Sequence, residues 1–189
     1  GDLNGSMILA GWFAKPEPPL RTVAGYISGE ARGDAALIAL ACQPLLMGRD
    51  TTIGGPGSYA ITQEGLKKYD ELIDQIAIST NRPAALIRGM LDPESEVFRY
   101  TNRKTGRIRY ATEQDLILDV DDPEIEKAKW QKGQRIELNE GLDAATAISL
   151  GLAEGEATSI AEAANSLGLA EPPPLISDRG LVRFVENIG

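Results

Sequence analysis

The stretch GYISGEARGDAALIALAC, residues 25–42, decides the fold class of this chain. Residues 21–28 (RTVAGYIS) have the pattern of a buried strand, and residues 34–42 predict an apolar helix. A glycine-bearing turn joins the two. Several enzyme families use such a strand–turn–helix to present a nucleophile at the N-terminus of a buried helix. Here the turn leads into Gly33 and Asp34 and contains no serine or cysteine.

Strand and helix patterns alternate along the rest of the chain. Strands are predicted at residues 45–47 and 134–138, with a hairpin at 96–100 and 107–110. Helices are predicted at residues 7–14, 62–79, 83–89, from 112 onward, 142–150 and 159–167. This alternation favours an α/β fold with crossover connections. The prolines at 172–174 divide the chain into one domain, residues 1–170, and a tail, residues 171–189, with an amphipathic pattern.

The composition excludes several classes of function. The 189 residues carry a net charge of −9, so the chain lacks the basic surface with which proteins replace counterions on nucleic-acid phosphates. Histidine is absent, which rules out Ser-His-Asp and Cys-His mechanisms within this chain. The one cysteine, Cys42, cannot build a thiolate metal site and is interpreted as a buried small hydrophobe. We therefore expect no metal, no cofactor and no nucleic-acid partner.

The apolar segments are too short to cross a bilayer. The longest, residues 35–47, is interrupted by Gln43 and Pro44, and no signal peptide is recognisable at the N-terminus. Five basic residues cluster around the predicted hairpin, at Arg99, Arg103, Lys104, Arg107 and Arg109, and they are interpreted as a solvated strand face.

Five motifs in order give the chain a resemblance to a known family. They are DLNGS at residues 2–6, the strand and elbow at 24–41, MGRDTTIG at 47–54, Asn81-Arg82, and LDAATAISLGLA at 142–153. In this order they resemble the ClpP-class serine peptidases of the ClpP/crotonase superfamily. The similarity is greatest to the membrane-associated branch called NfeD, which is related to the SppA signal peptide peptidases. It covers residues 2 to about 169.

The resemblance implies a single-domain, crotonase-like spiral of ββα units, commonly assembled into oligomers. It implies that the domain lacks its first strand or strands before residue 2. It also implies a domain that lies outside the cytoplasm and is tethered to a membrane only through flanking segments, so that the fragment alone would be soluble. The tail at residues 171–189 would lead toward such a membrane segment.

The family's chemistry needs a serine, a neutral lysine and two backbone amides that form an oxyanion hole. Gly5 and Ser6 take the place of the oxyanion amides, although both residues could equally cap the helix that follows. Gapless alignment places Gly33 at the serine position and Asp74 at the lysine position. Lys67 and Lys68 lie about two helical turns before position 74, too far to substitute without a shift. Both halves of the catalytic dyad are therefore predicted to be lost.

Asp34 has two interpretations. It could act as a replacement catalytic carboxylate, paired with Asp74 in a shared-proton arrangement. It could also be the N-cap of the apolar helix, where its charge is favourable, and this is the interpretation we prefer. Arg32 is expected to form a salt bridge with Glu30 or with Asp34.

Gly54 and Gly55 belong to a glycine-rich turn, residues 54–57, that we place at the rim of a peptide groove. The turn lacks the Lys-Ser/Thr pair of a phosphate-binding loop. The acidic loop at residues 119–124 lacks the spacing and the glycine of an EF-hand, and we interpret Asp122 as a helix cap.

Three functional hypotheses follow. The first is a peptidase-like domain that has lost its chemistry and serves as a peptide-binding or assembly module, expected to be a homo-oligomer. The second is an active hydrolase with Asp34 as base and the Gly5 and Ser6 amides as oxyanion hole. The third is a crotonase-like acyl-CoA enzyme, for which no basic cluster suited to the CoA phosphates is evident.

Overall fold

The structure is a computed structural model and describes residues 3–57, 63–92, 94–118 and 120–174. The helices are α1 (Leu3–Ala14), α2 (Asp34–Leu40), α3 (Gln63–Lys67), α4 (Asp70–Thr80), α5 (Ala84–Leu91), α6 (Glu113–Leu116), α7 (Pro123–Lys129), α8 (Ala144–Ser149) and α9 (Ile160–Ser166). The strands are β1 (Gly25–Ile27), β2 (Glu30–Ala31), β3 (Leu45–Met47), β4 (Thr52–Ile53), β5 (Phe98–Asn102), β6 (Ile108–Ala111), β7 (Trp130–Arg135), β8 (Leu142–Asp143) and β9 (Gly155–Glu156).

Among the described residues the strands form three small sheets. The first sheet has the order β1-β3-β9 and is parallel throughout. The second has the order β2-β4-β8, with β2 parallel and β8 antiparallel to β4. The third is the antiparallel sheet β6-β5-β7. Parallel pairs joined through helices, together with one antiparallel hairpin sheet, confirm a mixed α/β fold.

One hydrophobic core joins the first two sheets to the helices. Helix α2 packs against α1 and α5, and α1 also contacts α4. Both faces of α2 carry apolar side chains, and Ala36, Leu37 and Leu40 are fully buried. The third sheet has a satellite cluster of its own around Tyr100, Ala111 and Leu116. The apolar run at residues 35–47 is thus a core segment, as predicted.

The buried side chain of Arg82 connects the C-terminal end of α2 to the loop before β9. The Arg82 side chain has no exposed surface. Its guanidinium donates to the carbonyl oxygens of Leu40 (2.6 Å), Cys42 (2.8 Å) and Leu152 (2.7 Å). It also binds both carboxylate oxygens of Glu154, at 2.8 and 2.7 Å. The end of α2 and the loop before β9 are therefore held by one side chain.

Cys42 lies beside this arginine and is buried, as the sequence predicted. Its thiol donates to the Ile38 carbonyl oxygen at 3.4 Å. Burial raises the pKa of the Cys42 thiol to about 11, against a smaller opposing effect of the Arg82 charge. The thiol is therefore protonated at neutral pH and packs as an apolar group.

Several helices and strands have bounds in the structure that differ from those predicted from the sequence. The first helix begins at Leu3 instead of residue 7. The helix predicted at 62–79 is two helices, α3 and α4, with a break at Lys68 and Tyr69 that the continuous apolar periodicity concealed. The last strand of the third sheet is β7, not residues 134–138, because pairing with β5 stabilises a strand that lacks an apolar alternation. The helix predicted at 142–150 is preceded by a two-residue strand, β8.

No helix in the described ranges is long and apolar enough to cross a membrane. Of the predicted tail, residues 175–189 lie outside the described part of the chain.

Replacing Arg82 by methionine is expected to destabilise the fold by about 3 kcal/mol, because it leaves buried carbonyl oxygens and Glu154 without their donor. The measurement is urea unfolding followed by circular dichroism. Arg103→Met is the matched control, since Arg103 is exposed at the hairpin turn and should change stability by less than about 0.5 kcal/mol. Equal stability of the two variants would contradict the role assigned to Arg82.

Alkylation of Cys42 by iodoacetamide at pH 8 is expected to be about a hundredfold slower than that of an unperturbed thiol, because only the thiolate reacts. The rate should rise about tenfold per pH unit and level off only near a pKa of about 11. Mass spectrometry of the intact protein gives the rate. Rapid labelling of the folded chain at pH 8 would contradict the buried placement.

Candidate functional site

The turn that precedes α2 is built by pairing of β2 with β4. The Gly54 amide donates to the Ala31 carbonyl oxygen at 2.8 Å, and the Gly33 amide donates to Gly55 at 3.0 Å. Gly33 is the N-cap of α2 and has φ 55° and ψ −124°. This backbone conformation is readily adopted only by glycine. The position that the family resemblance assigns to the nucleophile is thus occupied by a residue that the turn itself requires.

There is no room for a side chain at this position. A Cβ built on Gly33 would lie 2.9 Å from the Cα and 3.1 Å from the amide nitrogen of Gly57. The reverse holds for Gly57, whose Cβ would lie 3.0 Å from the Cα of Gly33. Because both contacts involve backbone atoms, neither can be relieved by a rotamer change. The two glycines therefore fill the space that a nucleophilic side chain would need.

Asp34 is the first residue of α2, and its carboxylate is bonded to α1. The Ser6 hydroxyl donates to Asp34 Oδ2 at 2.7 Å. The N-cap is Gly33, without any side-chain cap hydrogen bond, so the interpretation of Asp34 as the N-cap is wrong. A carboxylate in the first turn still interacts favourably with the helix dipole. The hydrogen bond to Ser6 gives Asp34 a structural role, because it joins α2 to α1.

Gly5 and Ser6 lie in the first turns of α1, which begins before them and packs against α2. Gly5 is exposed, and an amide in the first turn of a helix has no intrahelical acceptor. The use of the Gly5 and Ser6 amides as an oxyanion hole stays a prediction. The structure does bring Ser6 and Asp34 into contact across 28 residues of sequence.

Asp74 has a different partner. It pairs with Arg88 Nη2 at 2.8 Å, while Asp70 accepts from Arg88 Nε at 3.1 Å. Burial opposes the charge of Arg88, but the bonds to the two carboxylates outweigh this effect and raise the pKa of the guanidinium. Since Asp34 bonds to Ser6 and Asp74 to Arg88, the shared-proton pair of Asp34 and Asp74 is not formed in this structure.

The Arg88 ion pairs border a cleft of about 610 Å³ between α4, α5, β6 and α6. Its charged lining consists of Asp70, Asp74, Arg88, Arg109 and Asp115. Arg109 Nη2 donates to the Asp115 carbonyl oxygen at 3.0 Å. Both arginines are thus engaged by neighbouring acceptors.

The glycine-rich turn lies against Arg32. Gly54 and Gly55 have φ 88° and 79°, and a Cβ on Gly55 would lie 3.0 Å from Arg32 Nη1. Arg32 Nε donates to Glu30 at 2.9 Å, which confirms the first of the two predicted salt bridges. Hydrogen bonding from Arg32 lowers the pKa of the Glu30 carboxyl. Residues 54–57 follow β4 and belong to no helix or strand, and their place at the rim of a peptide groove stays a prediction. Residues 58–62 lie outside the described part of the chain.

Lys67 and Lys68 are both exposed. Lys68 Nζ lies 5.3 Å from the centre of the Tyr69 ring. A lysine that acts as a general base must be desolvated so that its amine is neutral. These two lysines therefore do not replace the family's catalytic lysine.

Within the described ranges, no three acidic or cysteine side chains converge in a way that could hold a metal ion. In the acidic loop, Asp122 accepts from the amides of Glu124 and Ile125 at 3.0 and 3.1 Å, which confirms its role as the cap of α7. Residue 119, the first of that loop, lies outside the described part.

Two features were missed by sequence reasoning. The Ser6–Asp34 bond crosses between helices, and no local pattern indicates which helices will pack together. The second is a cleft of about 770 Å³ between β1 and α9. The small residues of α9 were visible in the sequence, but the brevity of β1, predicted at residues 21–28 and observed at Gly25–Ile27, and its proximity to α9 were not.

Comparisons of the chain with models of protein families, with curated proteins and with solved structures found no match. The fold class and the site geometry therefore stand on the sequence and the structure alone.

Gly33→Ala is expected to destabilise the chain by about 2 kcal/mol or more, since it combines a strained backbone with a contact to Gly57 that has no rotameric relief. Chemical unfolding measures the difference. Gly29→Ala, between β1 and β2, is the matched control, because a Cβ there meets no atom within 4 Å and the backbone lies outside the positive-φ region. A Gly33→Ala variant as stable as Gly29→Ala would contradict the close packing described above.

Proposed function

We propose that this chain is a ClpP/crotonase-like domain without peptidase chemistry, which serves as a peptide-binding or assembly module. The observation that carries the proposal is the Gly33–Gly57 contact, which fills the position of the nucleophile with backbone atoms. A serine peptidase needs a side chain at that position and a base beside it. Both requirements are absent from the positions that the resemblance assigns to them.

Each remaining candidate residue has a structural role that accounts for its presence. Asp34 joins α2 to α1 through Ser6. Asp74 joins α4 to α5 through Arg88. Gly54 and Gly55 allow the turn that supports Gly33 through a backbone hydrogen bond. These contacts would keep the domain folded after the loss of catalysis, so that it could still bind a peptide.

The strand order supports the finer fold assignment. Strands β1 and β2 follow one another, enter different sheets and lead into α2. Strands β3 and β4 repeat this arrangement and pair in parallel with β1 and β2, respectively. Two successive ββα units related in this way are what a crotonase-like spiral requires.

The surface of α1 supports an assembly role. The helix contains no charged residue. Ile8 and Trp12, one turn apart, are 50% and 70% exposed, and Leu9 lies beside them at 37%. A contiguous exposed apolar surface of this kind is typical of a contact with a partner. We propose a homo-oligomer on this ground, and tethering to a membrane, if present, would come through flanking segments.

One observation favours a second candidate function, that of a hydrolase with Ser6 as nucleophile. The Ser6 hydroxyl is hydrogen-bonded to a carboxylate at 2.7 Å, which is the geometry of a nucleophile with its base. Serine nucleophiles are ordinarily activated by histidine or by a neutral lysine, both stronger bases than a carboxylate. This candidate is therefore second to the binding module.

The binding module and the hydrolase predict different results in a peptide-cleavage assay. The parent chain, Ser6→Ala, Asp34→Ala and the double variant Lys67→Ala/Lys68→Ala are expected to give the same background signal on a mixed peptide library read by mass spectrometry. The reason is that no variant removes an operating nucleophile or base.

Cleavage by the parent that disappears with Ser6→Ala or Asp34→Ala would overturn the proposal and establish the hydrolase. A Ser166→Ala variant, which alters an equivalent helix hydroxyl bonded to a backbone carbonyl oxygen, controls for contaminating peptidases.

A further inference from the structure

Charge is divided into blocks along the third sheet and the helices next to it. Residues 99–109, which form most of the hairpin of β5 and β6, carry five basic side chains and no acidic one. Residues 110–126 carry seven acidic side chains and no basic one. The whole chain has 28 acidic and 19 basic residues and a net charge of −9. The hairpin, residues 98–111, is thus a positively charged region on a negatively charged molecule, and we call it the basic hairpin.

The turn of the basic hairpin holds its charges in fixed positions. The Asn102 side-chain oxygen accepts from the amides of Lys104 and Thr105, at 3.1 and 2.9 Å. The Arg103 amide donates to the carbonyl oxygen of Lys129 at 2.8 Å, which joins the turn to the end of α7. Like charges held close together on a sheet repel each other. The stability of the hairpin therefore does not account for a cluster of basic side chains.

Four of the five basic side chains are exposed and lie apart from any carboxylate. Within the described ranges, no carboxylate oxygen lies within 4 Å of the charged groups of Arg99, Arg103, Lys104 and Arg107. By contrast, every basic residue of α7 and β7 pairs with a glutamate within 4 Å, namely Lys127, Lys129, Lys132 and Arg135. The charges of the basic hairpin are therefore available to an acidic partner.

Exposed apolar side chains accompany these charges. Ile108 on β6 is 44% exposed, and Ile125 on α7 is 58% exposed. Helix α7 has no buried residue. Packing within this chain therefore does not supply the burial that normally stabilises a short helix. Apolar side chains bordered by charged ones are the usual composition of a contact between proteins.

Helix α7 begins in an acidic segment, residues 121–126, with four carboxylates and no basic side chain. Asp121 and Glu124 are exposed. Glu124 lies 3.5 Å from Lys127, but its side chain is 85% exposed, so solvent weakens this ion pair. The third sheet and its helices therefore present both signs of charge to the surroundings.

The charge balance indicates a second copy of this chain as the partner. Two copies with a net charge of −9 repel each other where acidic surfaces meet. A contact between the basic hairpin of one copy and the acidic segment of the other replaces this repulsion by attraction. Because both regions belong to one chain, a two-fold axis forms the same contact twice, and the surface is complementary to itself.

We propose that the basic hairpin of one copy binds the acidic segment at residues 121–126 of a second copy, with the reverse contact formed about the same two-fold axis. The inference rests on the proposed assembly function and adds a charged contact to the uncharged one on α1. Ile108 and Ile125 would be covered in this contact, and α7 would gain the packing that it lacks within one copy.

Charge reversal in two complementary variants of the full chain tests the pairing. One variant, Arg103→Glu/Arg107→Glu, reverses two charges of the hairpin turn, and the other, Asp121→Lys/Glu124→Lys, reverses two charges of the acidic segment. Each variant alone should associate at least about tenfold more weakly than the parent, because like charges then face each other. An equimolar mixture should regain the affinity of the parent, since each hairpin again faces opposite charges. Analytical ultracentrifugation at about 20 mM NaCl gives the dissociation constants.

Lys67→Glu/Lys68→Glu is the matched control. It changes the net charge by the same amount as the hairpin variant, at two exposed positions outside the third sheet. It should weaken association by less than about twofold, because only the overall repulsion increases. Circular dichroism of each variant checks that it is folded. A control as weak as the hairpin variant, or a mixture that does not regain affinity, would overturn the pairing.

Salt separates this contact from the one proposed on α1. Because α1 contains no charged residue, association through it should persist at about 500 mM NaCl, where screening should weaken the hairpin contact at least about tenfold. Association of the parent that is equally strong at both salt concentrations would overturn the hairpin contact and leave the homo-oligomer in place. A parent that is monomeric at both would refute the hairpin contact and the homo-oligomer together, but not the loss of catalysis.

Discussion

The buried guanidinium of Arg82 is the interaction on which the rest of the structure depends. A charge without exposed surface is stable only when it is paired and its donors are satisfied, and here three carbonyl oxygens and one carboxylate fulfil that condition. Leu40 and Cys42 end α2, whereas Leu152 and Glu154 lie just before β9, 40 to 72 residues from Arg82 in sequence. Glu154 also accepts from the Leu45 amide at the start of β3. One side chain therefore fixes where α2 ends, where β3 begins and how β9 joins the first sheet.

The turn at Gly33 depends on this frame. Its geometry follows from parallel pairing of β2 with β4, which places Gly55 opposite Gly33 and brings Gly57 into contact with it. The same pairing sets the start of α2, and hence the distance from Asp34 to Ser6 on α1. The Gly33 turn and the Ser6–Asp34 hydrogen bond are thus part of the packing that holds the helices and sheets together.

Much of the fold could be predicted from the sequence because local residue patterns determine it. The elbow at residues 25–42, the hairpin of β5 and β6, and the cap at Asp122 all follow from turn residues and apolar periodicity. The misassigned parts were those decided by distant contacts. Strand β7 is polar and exists because β5 pairs with it, and Asp34 bonds to a serine of another helix instead of capping its own.

The contact between Gly33 and Gly57 also limits which residues either position can carry. A side chain introduced at position 33 would meet the backbone of residue 57, so a single substitution there lowers stability. The same holds for a side chain introduced at position 57, which would meet the backbone of Gly33. The two glycines therefore constrain each other, and a larger residue at either position requires the backbone of the other to move.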